Sequence, residues 1–168
     1  LAIDTAMPET PVAAVAFLAA ATLNGIRFSA WRWRQTWRDP LLWILQAGYA
    51  WIVLALALMG LAAAGLVTGS AALHGLTVGA VGTMTTAIMS RAILGHSGRP
   101  LRAAPATVVA YVLILFAGLI RVLPEIFGSA ASTATLSLAA LAWIGGFAIF
   151  TVVHAPMLLG PRGDGGPG

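Results

Sequence analysis

The sequence predicts an all-α fold, a polytopic bundle of about five transmembrane helices. Three observations carry this. Sixty per cent of the 168 residues are apolar, and the mean hydropathy is +0.93. Only 8% are charged, with no lysine among them, whereas soluble domains carry about 25%. The apolar residues form long blocks without the alternation of a strand. This composition excludes a water-soluble globule and a disordered chain. The absence of cysteine excludes disulfides, iron–sulfur sites and Cys-ligated zinc. An isoelectric point near 11.2 does not mark a nucleic-acid binder, because the arginines punctuate apolar blocks and form no continuous basic face.

The chain opens at Leu1 on a short mixed segment with Asp4 and Glu9, which lacks the basic start of a signal peptide. With no initiator Met, a piece of a longer protein is expected. One transmembrane domain over residues 1–168, part of a larger bundle, follows from the blocks. The first spans residues 11–30 and carries Asn24 and Arg27 near its end. The second spans 40–67, with Asp39 suited to the N-cap and Pro40 to the first helical position. The third, fourth and fifth span 71–94, 105–123 and 133–159. A bilayer needs about 20 apolar residues, and the second and fifth blocks are long enough to tilt or to pass beyond the hydrocarbon.

The connectors predict orientation. Arg32, Arg34 and Arg38 follow block one, Arg99 and Arg102 follow block three, and Arg162 follows block five. Arg27 and Arg91 border the same side, while Asp4, Glu9, Glu125 and Arg121 lie on the other. Positive residues favour the cytoplasm, so the N-terminus is expected outside and the C-terminus inside. Trp31, Trp33 and Trp37 then form an interfacial belt.

Ionisable groups within spans are expensive, so each is a candidate for function. His74 opens the third block at the outer face. On a regular helix Gly75, Gly79, Gly82 and Thr86 share one stripe within about 40°, a wall smooth enough for another helix or a flat ligand. His74 is therefore a candidate axial ligand for haem or copper, or a helix-end histidine bonded to a neighbour. Arg121 has three uses open to it: pairing with Glu125, holding a carboxylate, or snorkelling to the interface. His96 lies about 33 Å from His74 along a helix, at 1.5 Å per residue, so the two cannot share one metal. With Arg91, Arg99 and Arg102 it forms a basic inner rim. Gly95 and Gly98 read as helix stop and turn. Gln46 and Tyr49 share a helix face and predict bonding between helices. His154 is expected at the interface. No acidic pair lies inside a span, and HExxH, GxSxG and P-loop motifs are absent, so no complete catalytic constellation is legible.

The strings His74-Gly75-Leu76-Thr77-Val78-Gly79-Ala80-Val81-Gly82-Thr83-Met84-Thr85 and Ser90-Arg91-Ala92-Ile93-Leu94-Gly95-His96-Ser97-Gly98-Arg99-Pro100-Leu101 resemble the NnrS family. So do Arg38-Asp39-Pro40-Leu41-Leu42-Trp43-Ile44-Leu45, with Gly48-Tyr49-Ala50-Trp51, and the tail from Pro161 to Gly168. The resemblance implies a multi-pass protein of the bacterial inner membrane, linked to the nitric oxide response and containing haem and copper. It also implies that the chain corresponds to the C-terminal portion of proteins about twice as long. The missing N-terminal half, or a partner chain, is then an expected partner beside lipid, haem and nitric oxide. By motif, His74 and His96 are the family's metal-site candidates here, with Arg91 and Arg99 in the same strings. The family pattern often has His at Gln46 and an aromatic near His154. Gly75, Gly79, Gly82 and Arg121 complete the expected haem site. Two rival readings remain open: a small-solute transporter, and a structural half-bundle without a cofactor of its own.

Overall fold

A computed structural model of the chain describes residues 10–129 and 132–165. Helices occupy most of each of the five blocks among the described residues, and five helical segments are long and apolar enough to cross a membrane. The acids Asp4 and Glu9, used above for orientation, lie outside the described residues, as does the end of the tail from residue 166.

Helix α1 is Pro11–Ser29, capped by Thr10, whose hydroxyl accepts from the Ala13 N–H at 3.2 Å. A single turn, α2 (Trp33–Thr36), begins at Trp33 and is followed by Trp37. Trp33 and Trp37 are exposed, with the Arg34 and Arg38 guanidinium groups 5.4 and 5.2 Å from their respective ring centres. Helix α3 is Pro40–Ala63 and starts as the sequence predicts, with Asp39 Oδ1 accepting from Leu41 N–H at 2.9 Å and Pro40 in the first turn.

The third span runs unbroken from Gly69 to His96 but changes pitch on the way. It comprises α4 (Gly69–His74), a π-helical stretch (Gly75–Val81) and α5 (Gly82–His96). Helices α6 (Pro105–Ile126) and α7 (Thr133–Leu159) complete the bundle.

Three helices stop in one way. After α3, α5 and α6 the chain enters the left-handed region at Gly65, Gly98 and Gly128, with φ of 73°, 65° and 70°. In each case the next residue donates its N–H to a carbonyl five residues back: Leu66 to Leu61, Arg99 to Leu94, Ser129 to Pro124. These bonds satisfy carbonyls that the helix end would leave bare. They also correct three boundaries. Helix α3 ends at Ala63 rather than 67, α5 reaches His96, and α6 carries Pro124 within its last turn to reach Ile126. Gly95 lies inside α5, and Gly98 alone provides the stop.

Helix α3, the π stretch and α6 form the centre, with α1 packed on α3 at one edge and α7 on α6 at the other. Tyr49 of α3 donates to Asn24 Oδ1 of α1 at 2.7 Å and stacks near Trp31. Gln46 donates to Thr36 Oγ1 at 2.7 Å, tying α2 down. Both bonds are of the kind the sequence predicts. At the arginine-rich end the tail folds back on the exit of α5. Gly163 N–H donates to Ser97 O at 2.8 Å, and Arg162 donates to His96 O at 3.2 Å. Arg162 also donates to Asp164, which holds its guanidinium pKa above the ordinary value.

Candidate functional site

The opposite end of the bundle assembles the candidate site. Thr68 caps α4 by accepting from Ala71 N–H at 3.1 Å, so the third span begins beside the end of α6. Its hydroxyl and that of Ser70 donate to the two oxygens of Glu125, at 3.1 and 3.2 Å. Arg121, one turn earlier on α6, donates to Glu125 as well. Of the uses the sequence left open for Arg121, the structure shows the pairing with Glu125.

His74 stands one turn beyond Ser70. Its Nδ1 lies 2.8 Å from the Ser70 carbonyl oxygen. A carbonyl only accepts, so in the neutral ring Nδ1 carries the proton and Nε2 presents its lone pair. This is the arrangement that orients imidazole ligands in metal sites. The Ser70 hydroxyl is 3.2 Å from the same Nδ1, and so joins His74 to the Glu125–Arg121 pair.

His74 and Arg121, 47 positions apart in sequence, line one open groove of about 370 Å³. Val78 forms part of its wall on the third span, and Leu136, Ala139, Trp143 and Ile144 of α7 form the opposite wall. The groove is therefore apolar, with one imidazole and one ion-paired guanidinium at its polar end.

Of the two uses the sequence left open for the glycine wall, the structure shows the close approach of other helices. A Cβ at Gly79 would run into the Trp51 indole, one at Gly82 into Trp143, and one at Gly75 would come 3.2 Å from Leu58 Cδ1. The cause is the change of pitch. A π turn takes more residues than an α turn, so the glycines do not stay in phase. They fan from α3 at Gly75 to α7 at Gly82. Trp51 is wedged between Gly79 and Gly118, where a Cβ on Gly118 would lie 3.0 Å from the ring. Gly79, Gly82 and Gly118 thus receive this chain's own aromatic rings.

The other candidates are dispersed. His96 is exposed at the far end of the third span, remote from His74 as predicted. His154 lies near the end of α7 and is turned into the bundle. It is 2% exposed, its Nδ1 donates to Phe150 O at 2.8 Å, and its ring stacks on Phe150 with centroids 4.2 Å apart. Arg99 donates to the Ser97 and Met157 carbonyls at 3.4 and 3.3 Å. Among the described residues no three His, Asp or Glu side chains converge as a metal-holding group. Sequence reasoning missed Trp143, because α7 is apolar on every face and gives no sign of which ring points inward. It also missed the Ser70 carbonyl, since a backbone acceptor leaves no mark in the sequence.

No curated protein and no solved structure matches the chain. The sequence model of one family, described as NnrS protein, matches residues 1–162, nearly the whole chain. The match covers all five apolar helical segments and the motif strings of the third, and the chain belongs to the NnrS family.

Proposed function

We propose that this membrane protein binds haem at the His74–Arg121 groove and acts in the bacterial nitric oxide response. The observation that carries the reading is the hydrogen bond between His74 Nδ1 and the Ser70 carbonyl, on the wall of that groove. The residues fit one side of a macrocycle. His74 Nε2 offers a neutral nitrogen donor, Trp143, Leu136 and Ile144 offer apolar surface, and Arg121 lies at the polar end. When bound, the haem supplies an iron that takes up a small diatomic ligand. The chain's own contribution is positional. Ser70 orients the ring, while Glu125, held by Thr68, Ser70 and Arg121, locks the start of the third span to the end of α6. Arg121 keeps further N–H donors for a propionate beside Glu125. In this reading Gly75, Gly79 and Gly82 act through Trp51 and Trp143, by setting how closely the helices approach. Copper rests on the family alone, and His96 is its candidate at the other face. The bacterial inner membrane is the proposed location, with the arginine-rich end in the cytoplasm.

A second reading, a half-bundle that completes a site on another chain or a further segment, draws on the shallow edges of the structure. Only 11% of the α1 window and 17% of the α7 window are buried. Purified protein decides between them. A Soret band that disappears in His74→Ala, with helicity unchanged, supports the haem site. A band that survives His74→Ala overturns it. A band seen only after co-expression with a partner supports the half-bundle.

A further inference from the structure

We propose that a groove at the opposite end of the bundle holds one anionic phospholipid, with Arg91 on its phosphate. The groove, of about 440 Å³, is lined by Leu45 of α3, by Ile88, Arg91, Ala92 and Gly95 of α5, and by Leu101 of the link to α6. All but Arg91 are apolar, and Ile88 and Leu101 are exposed to what would be the acyl region. Nothing lies within 4 Å of where a Cβ on Gly95 would stand, so the floor of the groove is open along the helix.

Of the other arginines within the spans, Arg27 is exposed near the end of α1. Arg121 is paired with Glu125. Arg91 is half-buried and has no hydrogen bond or ion pair among the described residues. Asp39, the cap of α3, commits an oxygen to Leu41 N–H. An unpaired guanidinium in a span is costly unless it reaches polar material. Arg91 lies five residues before the end of α5 at His96, about 7.5 Å at 1.5 Å per residue. Its side chain therefore extends to headgroup depth while its stem stays in the groove. A guanidinium forks onto a phosphate through parallel N–H bonds. The rim adds His96 and exposed Arg102, and the one described acid in the tail there, Asp164, is engaged by Arg162. The excess of positive charge selects a headgroup of net negative charge over a zwitterionic one.

The occupancy can be read on the intact chain without any cofactor. Detergent-purified protein is exchanged with phosphatidylglycerol or phosphatidylcholine, and retained lipid is counted by native mass spectrometry. The wild type should retain phosphatidylglycerol in preference, and Arg91→Gln should cut its retention about fivefold, the effect of one cation at a lipid surface. Equal retention of the two lipids by the wild type overturns the proposal, as does an undiminished preference in Arg91→Gln. Should Arg91→Gln fail to fold, Gly95→Leu decides, since its side chain fills the groove and leaves the charge. Loss of the bound lipid then supports the site, and full retention overturns it.

Discussion

Two glycines on one span respond to substitution in opposite directions, because their surroundings differ. Gly79 receives the face of Trp51, whereas Gly95 faces open space. Gly79→Ala should destabilise the bundle by about 1–3 kcal/mol through overpacking. Gly95→Ala should be neutral or stabilising by up to about 1 kcal/mol, the gain in helix propensity. Thermal unfolding in detergent measures both, and equal effects would contradict the wedged position of Trp51. The sequence shows both glycines but not which is covered, because that depends on a ring from another helix. The imidazoles teach the same lesson. His74 was legible as a candidate from its place beside the glycines, whereas the burial of His154 was not, since nothing in a uniformly apolar helix gives a direction.

The elements themselves were largely readable, and their ends less so. Asp39 and Pro40 declare the start of α3 because their chemistry acts within the residues next to them. The end of α3 at Ala63 was overrun by four residues in the apolar block, because the left-handed Gly65 sits in a run that stays apolar to Val67. Gly65 and Gly98 share a backbone conformation but differ in neighbours. A Cβ on Gly65 meets nothing, while one on Gly98 collides with the Asp164 carboxylate. Both Gly65→Ala and Gly98→Ala should lose about 1–2 kcal/mol for the left-handed residue. Gly98→Ala should in addition release the folded-back tail, seen as faster carboxypeptidase digestion. A tail equally protected in both variants would mean that the Asp164 contact contributes nothing to holding it.

For the whole molecule, five apolar blocks sufficed to give the class of fold and the count of spans, since lipid leaves helices few alternatives. Which helix lies at the centre was not legible, because lateral order comes from contacts between distant segments. The absence of cysteine makes topology directly measurable. Ser129→Cys and Gln35→Cys place single thiols on exposed connectors at opposite ends. An impermeant maleimide added to spheroplasts should label Ser129→Cys, and should reach Gln35→Cys only after permeabilisation. The reverse pattern would invert the proposed orientation. The π stretch has a consequence on this scale. Its wide turns act as a vernier between the mouth of the third span and the remainder of it. Deleting exposed Thr77 would remove one residue's winding from the π stretch, leave the span long enough to insert, and swing the His74 imidazole off the wall it shares with Trp143. The bundle would then keep its helices and lose the groove proposed for haem.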